Sequence, residues 1–286
     1  MVDKPTSDIP LAGGSGGLTK LHKRALSAIA MIGTAIVCAW IGGIAFALLL
    51  LVIGAVMMWE WMRMVGVPEA SRVQVSVVGY GSIVLAVALS IGAAPVAGLA
   101  AVLLGLVAIA VIKPRLLGVG MVYVTVPIVV LIWLRGDSGL GFVAVALIFA
   151  VVWATDTFAM VVGKLVGGPL IWPRISPNKT WAGAIGGLVA GGTLGAAVAV
   201  FAVAPDHWLY GLVLGSVLSV CAQVGDFVES AVKRACDVKD TSGIIPGHGG
   251  VLDRMDGIVG ATFGAGVPLA LTATDAPDRL LVLGGF

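Results

Sequence analysis

Charged residues are scarce in this sequence, and their scarcity is its most informative feature. Only 11% of the 286 residues are charged, whereas 59% are apolar, and the mean hydropathy is +1.09. A soluble globular domain carries charge on about 25% of its residues. The composition therefore excludes an ordinary soluble domain and indicates a membrane protein.

Three further shortages narrow the class of protein. The three cysteines, Cys38, Cys221 and Cys236, lack the spacing of a disulfide framework or a zinc site, so we interpret them as packing residues. The formal net charge is only +2, and the basic residues flank the hydrophobic stretches, which argues against a nucleic-acid surface. Because no nucleophile with an adjacent base stands out, a covalent enzyme intermediate is not indicated.

The hydrophobic stretches predict an all-α, polytopic membrane protein with nine transmembrane helices. A helix needs about 20 residues to cross about 30 Å of hydrocarbon. Two stretches, 25–59 and 73–112, are long enough for two helices each, with breaks predicted near Gly42 and Gly43 and at residues 93–95. The single-length stretches are 116–134, 138–155 (predicted to continue past Asp156), 180–205, 207–225 and 257–274.

The basic residues predict the orientation of these helices. With nine spans, fifteen of the 17 lysines and arginines fall on the side of the N-terminus, and only Arg135 and Arg279 fall on the other. The positive-inside rule then places the N-terminus in the cytoplasm and the C-terminus outside, in the plasma membrane. We predict three parts: a flexible cytoplasmic tail (1–24), helices one to five (25–135), and a catalytic region with helices six to nine (136–286).

A run of glycines marks the seventh predicted helix. Gly183, Gly187, Gly191 and Gly195 are spaced four residues apart and so lie on one face. Such a face lets another helix approach closely. We interpret it as a packing surface, either within the protomer or in a dimer interface; the alternative is a face that accommodates lipid.

A carboxylate lies within the sixth predicted helix. Charged residues in a membrane are costly and usually have a partner or a function. Asp156 therefore either binds a cation or accepts hydrogen bonds from a functional group, or it is a helix-end carboxylate bonded to the nearby backbone.

The segment 174–181 precedes the seventh helix and combines cations, hydroxyls and an amide. Backbone N–H groups at a helix start, hydroxyl donors and a lysine suit a phosphate group. The candidate residues are Ser176, Asn178, Lys179 and Thr180. The alternative is a positively charged cytoplasmic loop in which Ser176 caps the helix.

The segment 226–256 carries the densest set of polar residues. Asp226, Glu229, Ser230, Lys233 and Arg234 share one face at the end of the eighth helix, and a glycine-rich turn with His248 follows. Lys239, Asp253, Arg254 and Asp256 complete the set. Carboxylates from two helices beside such a turn favour a Mg²⁺ and phosphate site. The alternative is a salt-bridge network at the membrane surface.

His248 lies inside this turn and has a charge state that is open near neutral pH. It could serve as a general base, donate to a phosphate or stabilise the turn. We favour the last two roles.

Residues 230–256 resemble the signature of the phosphatidate cytidylyltransferases, also called CDP-diacylglycerol synthases. The agreement extends over 27 positions without a departure, from Ser230 through Lys233, the turn and Asp253 to Asp256. Residues 176–181 resemble the second conserved segment of the family, and Asp156 stands where the family has an intramembrane aspartate. The resemblance covers about residues 150–260 and assigns no function to the first five helices.

The resemblance implies a reaction and its cofactors. The reaction is the Mg²⁺-dependent transfer of the cytidylyl group from CTP to phosphatidic acid, with release of pyrophosphate. A homodimer and a second, monovalent cation such as K⁺ at the metal centre are also implied.

This reaction allows each candidate residue to be given a predicted role. We predict that Asp226 and Asp253 bind the metal, with Asp256 as a further candidate. Catalytic roles are predicted for Asp226, Asp253, Lys239 and Arg254, and substrate-binding roles for Asp156, Ser176, Asn178, Lys179, Thr180, Lys233, Arg234 and His248. No general base is required, because a phosphate monoester is largely ionised at neutral pH.

Two other functions use similar residues. A CTP-dependent lipid kinase would transfer the γ-phosphoryl group instead, so α-labelled CTP would distinguish it. A transporter or channel would use intramembrane charges for ions. The charges here cluster on one membrane face without an evident inverted repeat, which argues against transport.

Overall fold

The structure is a computed structural model that describes residues 29–92, 95–112, 116–136, 139–245, 249–272 and 277–284. Ten α-helices lie within these ranges. The first five are α1 (Ile29–Ile41), α2 (Gly43–Val65), α3 (Glu69–Gly92), α4 (Pro95–Ile112) and α5 (Leu117–Arg135). The others are α6 (Gly141–Val166), α7 (Trp181–Ala202), α8 (Trp208–Ala235), α9 (Leu252–Thr272) and the short α10 (Pro277–Leu283).

The all-α membrane fold predicted from the sequence is confirmed. Within the described ranges, six helices are long and apolar enough to cross a membrane, namely α2, α3, α5, α6, α7 and α8. Each double-length apolar stretch coincides with two of the helices α1 to α4, and each single-length stretch coincides with one of the helices α5 to α9. Nine membrane crossings remain a prediction. The predicted tail, 1–24, lies outside the described residues.

The predicted break near Gly42 and Gly43 is confirmed. Helix α1 ends at Ile41 and α2 begins at Gly43, and the two glycines have φ angles of 72° and 50°. Residues with a side chain rarely adopt these angles. The Arg135 guanidinium donates to the carbonyl oxygens of Ala39 and Trp40 at this bend. The other predicted break falls between Gly92 and Pro95, on residues outside the described ranges.

The glycine face of α7 packs inside the protomer, between α6 and α8. A methyl group on Gly187 would come within 2.8 Å of the Thr155 carbonyl oxygen on α6. On Gly195 it would come within 2.8 Å of the Gly215 Cα on α8. Larger residues would therefore separate these three helices, which carry part of the candidate site.

One difference from the sequence-based prediction concerns that site. Residues 174–181 are not only a loop: β1 (Leu170–Trp172) and β2 (Ser176–Thr180) form an antiparallel hairpin. The polar residues 226–234 lie at the end of the eighth helix, as predicted, because α8 continues ten residues beyond its apolar stretch, to Ala235. Helix α9 begins at Leu252, five residues before its apolar stretch, so Asp253 and Asp256 lie in its first turns.

The core lies between α2, α5, α6 and α9. Trp61 is fully buried, and its indole N–H donates to the Leu116 carbonyl oxygen at 3.1 Å. Large apolar side chains such as Val77 and Leu104 on α3 and α4 are exposed, as expected for helices that face lipid. The N-terminal and C-terminal helices thus share one core.

Candidate metal and phosphate site

A cavity of about 810 Å³ lies between α6, α7, α8, α9 and the hairpin. It brings together residues from all three sequence segments singled out above. The candidate site residues that line it are Asp156, Ser176, Asn178, Lys179, Thr180, Asp226, Lys233, Asp253, Arg254 and Asp256. Most of the predicted site is therefore one place in the fold.

Close contact between α8 and α9 brings the acidic residues together. A methyl group on Gly225 would overlap the Asp256 carbonyl oxygen and come within 2.8 Å of the Gly260 Cα. The two backbones can approach this closely because both residues lack a side chain. Asp226 follows Gly225 in the chain, so the crossing point itself places it beside Asp256.

Three carboxylates form a compact cluster at this crossing. The ligand oxygens of Asp226, Glu229 and Asp256 lie within 4.8 Å of one another. Glu229 is completely buried, and its Oε1 has no hydrogen-bond partner among the described residues. Oxygen ligands at this spacing suit a hard divalent cation such as Mg²⁺.

Asp253 has different surroundings from these three residues. Its Oδ1 accepts a hydrogen bond from Lys233 Nζ at 2.8 Å. Its Oδ2 accepts from the backbone N–H groups of Thr241 and Gly250 at 3.0 and 2.8 Å, and from the Thr241 hydroxyl at 3.0 Å. Asp253 is not part of the group whose ligand oxygens lie within 4.8 Å of one another, so the geometry favours Glu229 and Asp256 over Asp253 as partners of Asp226.

These hydrogen bonds also keep Asp253 ionised. The residue precedes 257–274, the stretch predicted to cross the membrane. Burial raises the pKa of Asp253, but hydrogen bonds from Lys233 and the Gly250 N–H lower it more, to about 2. Asp253 therefore carries a full negative charge opposite Lys233, whose ammonium group also contacts Glu229 at 2.6 Å.

The hairpin delivers Lys179 to the carboxylate cluster. Its ammonium group forms an ion pair with Asp226 and lies 4.3 Å from the centre of the Phe227 ring. The Thr180 hydroxyl accepts a hydrogen bond from the Gly183 N–H at 3.1 Å and so caps α7. The alternative in which Ser176 caps this helix is wrong, because Ser176 begins β2 four residues earlier.

Asp156 lines the cavity from α6. Helix α6 continues ten residues beyond it to Val166, so the alternative of a helix-end carboxylate is wrong. A methyl group on Gly257, the residue after Asp256, would lie 3.7 Å from Asp156 Oδ2. Asp156 therefore stands close to the carboxylate cluster.

Three predicted site residues are not found in the lining of the cavity. Arg234 is exposed and donates to the Val238 carbonyl oxygen at 3.1 Å. Lys239 is exposed and is not among the residues that line the cavity. His248 falls outside the described residues. The roles predicted for these residues stay predictions.

Several polar residues near the site were not assigned a role from the sequence. Glu229 was placed on the same helix face as Asp226 but was given no role, although its spacing of three from Asp226 lets both side chains reach one ligand. Glu60, at the end of an apolar stretch, fits the rule that intramembrane carboxylates have a function. Tyr123 gives no comparable signal, yet its buried hydroxyl lies within electrostatic range of Asp256 and Glu229.

Comparison with known proteins adds independent information. The profile of the cytidylyltransferase family matches residues 22–268, which include both the N-terminal helices and the site. A phosphatidate cytidylyltransferase of Brucella melitensis is 37% identical over 253 residues, covering 85% of this chain and 91% of the relative. One of Bacillus subtilis is 49% identical over 106 residues, covering 37% of this chain and 39% of the relative.

Proposed function

Because this chain belongs to the cytidylyltransferase family, it transfers the cytidylyl group of CTP to phosphatidate, and we propose that it does so in the cavity described above. The products are CDP-diacylglycerol and pyrophosphate, so the chain is a membrane-bound transferase of phospholipid biosynthesis. One observation carries the location of the reaction: Lys179 of the hairpin contacts Asp226 of α8, so two separate polar segments form one site.

Asp226, Glu229 and Asp256 are the proposed ligands of Mg²⁺. This set fits because it consists of oxygen donors from two packed helices, and one buried oxygen has no other partner in the described chain. When bound, Mg²⁺ supplies positive charge that neutralises the phosphates and makes the α-phosphorus more electrophilic. Asp253 instead holds Lys233 and the turn before α9 in place. Asp156 is available for the nucleotide or for the second, monovalent cation.

The hairpin is the proposed binding element for the CTP phosphates. Ser176, Asn178, Lys179 and Thr180 line the same side of the cavity and provide hydroxyl, amide and ammonium donors. Their position at the start of α7 adds the favourable dipole of a helix N-terminus. Lys179 can therefore interact with a phosphate group and with Asp226 at the same time.

Lys233 and Arg254 have different proposed roles. Lys233 contacts both Glu229 and Asp253, so its main role is to hold these two carboxylates in position. Arg254 lines the cavity and is the better candidate to contact the lipid phosphate or the departing pyrophosphate.

The proposed reaction requires positioning and charge neutralisation from the protein. An oxygen of the phosphatidate phosphate forms a bond to the α-phosphorus of CTP, while the bond from that phosphorus to the oxygen of the β-phosphate breaks. Pyrophosphate leaves with the electron pair of the broken bond. The attacking phosphate is already ionised, so none of the residues has to remove a proton from it. The fixed cations lower the barrier by holding two anionic substrates in line.

The wall of the cavity formed by α6 and β1 is the proposed place for the glycerol part of phosphatidate. Ala159, Met160 and Ile171 give this wall an apolar surface. The exposed Trp172 and Trp181 flank the hairpin, and tryptophan is common where a protein meets the headgroup region. A lipid could then present its phosphate to the cavity without leaving the membrane.

The orientation and assembly of the protein are further parts of the proposal. We expect the cavity and the N-terminus on the cytoplasmic side of the plasma membrane, where CTP is available, and the C-terminus outside. A homodimer is also expected. Light scattering coupled to size-exclusion chromatography in detergent measures the protein mass and tests the dimer.

Labelled CTP tests the proposed function directly. Purified protein with phosphatidate, Mg²⁺ and CTP labelled in the α position should form labelled liponucleotide and release pyrophosphate in equal amounts. Label that enters lipid only from the γ position would identify a lipid kinase instead. Ion flux in proteoliposomes without turnover of CTP would identify a transporter.

A further inference from the structure

Glu60 of α2 is a buried carboxylate. It is far in sequence from the residues that line the cavity, but in the fold it contacts the start of α9, which carries some of them. The residue has no solvent-exposed surface. An ionised carboxylate loses several kcal/mol of hydration on burial unless hydrogen bonds or a cation replace the water. The partners of Glu60 therefore indicate why the residue is tolerated there.

Among the described residues, the hydrogen bonds to the Glu60 carboxylate come from the segment between α8 and α9 and from the first residue of α9. Oε1 accepts from the Ser242 hydroxyl and from the Val251 N–H at 2.9 Å. Oε2 accepts from the Leu252 N–H at 2.7 Å. Helix α9 begins at Leu252, so these amides are among those that no carbonyl within the helix can satisfy. Glu60 thus caps α9 from another helix, where a negative charge is also favoured by the helix dipole.

The same short segment carries the hydrogen bonds of Asp253. The backbone N–H of Gly250 donates to Asp253, and the next two N–H groups, of Val251 and Leu252, donate to Glu60. A methyl group on Gly250 would overlap the Thr241 hydroxyl and the Glu60 carboxylate. The turn is therefore clamped between two carboxylates, one on α2 and one on α9.

We propose that Glu60 is a positioning residue for the reaction and that α2 contributes to the site through it. The proposal rests on the Mg²⁺ site proposed above. By fixing the start of α9, Glu60 sets the position of Asp256, one turn further along the helix, against Asp226 and Glu229. Glu60 itself does not line the cavity, so it acts through the backbone of α9 rather than on a substrate.

The substitution Glu60→Gln tests this role while keeping the shape of the side chain. A glutamine amide has one oxygen and one NH₂ group, so at least one of the donors that now faces an oxygen would face another donor. Glu69→Gln is the control, because Glu69 is an exposed acid on α3 that pairs only with the exposed Arg72 in the described structure. Both variants are made in the full-length chain and purified in detergent.

Three experiments are made on each variant: thermal unfolding, binding of Mn²⁺ in place of Mg²⁺ by electron paramagnetic resonance, and steady-state kinetics that give kcat and KM for CTP. We expect Glu60→Gln to weaken Mn²⁺ binding and to lower kcat by about tenfold or more, as for other residues that orient metal ligands. KM for CTP should change less than kcat, because the hairpin is not displaced. Glu69→Gln should match the wild type in all three.

A purely structural role predicts a different pattern. Glu60→Gln would then unfold at a lower temperature, but the folded protein would keep the Mn²⁺ affinity and kcat of the wild type, and that result overturns the proposal. A wild-type protein that forms no liponucleotide would instead contradict the proposed function. The Mn²⁺ measurement does not depend on turnover, so the two failures are distinguishable.

A second variant keeps the test decisive if Glu60→Gln does not fold. Gly250→Ala places a methyl group against Glu60 in the segment between α8 and α9, and Gly243→Ala adds one at a position in the same segment with no atom within 4 Å. Gly250→Ala should weaken Mn²⁺ binding and lower kcat by about tenfold, whereas Gly243→Ala should not. Equal behaviour of the two variants would overturn the proposal.

Discussion

Asp253 and Asp256 lie three residues apart in the first turns of α9, yet their surroundings differ. Asp253 accepts hydrogen bonds from Lys233, Thr241 and Gly250, so its oxygens are already engaged. The ligand oxygens of Asp256 lie with those of Asp226 and Glu229. Spacing alone treats the two aspartates as equivalent, and only their neighbours separate them.

Replacing the proposed ligands by asparagine should remove metal binding without changing side-chain size. We expect Asp226→Asn and Asp256→Asn to lower kcat by at least about 100-fold, since residues that only orient ligands already contribute about 10- to 100-fold. Mn²⁺ binding should weaken in parallel. Asp237→Asn is the matched control, because Asp237 is exposed just after α8 and its φ of 55° suits asparagine.

Asp253→Asn should differ from these variants in stability. It loses the charge that holds Lys233 and two backbone N–H groups, so we expect a lower unfolding temperature as well as lower activity. Loss of Mn²⁺ binding from Asp253→Asn equal to that from Asp226→Asn, with unchanged stability, would favour Asp253 as a direct ligand.

Lys179 should affect CTP more than the lipid, because it lies on the hairpin proposed to bind the CTP phosphates. Removing a hydrogen bond to a charged group costs about 1.5–3 kcal/mol, so Lys179→Ala should raise KM for CTP about tenfold or more. KM for phosphatidate should change much less. Arg174→Ala, an exposed cation in the same hairpin, is the control. Equal weakening of both substrates would contradict this assignment.

At the scale of the elements, the crossing of α8 and α9 decides whether the carboxylates meet. Gly225 and Gly260 face each other there, and a methyl group on Gly225 would come within 2.8 Å of the Gly260 Cα. The hairpin is the second such element, since it places Lys179 against Asp226. The helix crossing joins two helices separated by a turn, and the Lys179–Asp226 contact joins two segments that are distant in the chain.

Widening this crossing should therefore reduce activity without touching a ligand. Gly225→Ala or Gly260→Ala should destabilise the protein by about 1–3 kcal/mol, as overpacked cores are, and should weaken Mn²⁺ binding. Gly81→Ala is the matched control, because Gly81 lies in helix α3 with no atom within 4 Å. That control should be neutral or slightly stabilising. Thermal unfolding in detergent and Mn²⁺ binding measure the difference.

At the scale of the whole molecule, the distribution of basic residues predicts which end of the bundle faces the cytoplasm. Asn178 lies beside the cavity and is exposed, whereas Arg279, also exposed, lies in α10. Single cysteines at these positions are introduced after Cys38, Cys221 and Cys236 are replaced by alanine. A membrane-impermeant maleimide applied to intact cells should label position 279 and leave position 178 unlabelled.

The opposite pattern would place the cavity outside the cell and contradict both the nine-span topology and the proposed access of CTP. Labelling of both positions after permeabilisation is the control that each cysteine is reactive. This test is independent of turnover and of metal binding.

The sequence by itself determined the class of the molecule and selected ten of the residues that line the cavity. Long apolar stretches with few charges require helices in a membrane, because every backbone polar group there must be satisfied within the chain. The cost of a charge near the membrane made Asp156, Asp226 and Asp256 stand out. These arguments are local, since they depend on composition and on spacing along one helix.

Only the tertiary structure decided which neighbours each selected residue has. The hydrogen bonds of Asp253 come from three other parts of the chain, and Glu60 reaches the start of α9 from 192 positions away. The neighbours of a carboxylate decide which other groups its oxygens can share a cation with, and those neighbours are set by helix crossings. The close contact of Gly225 and Gly260 groups Asp226 and Glu229 with Asp256, whereas Asp253 bonds to the turn before α9 and to Lys233, which also contacts Glu229.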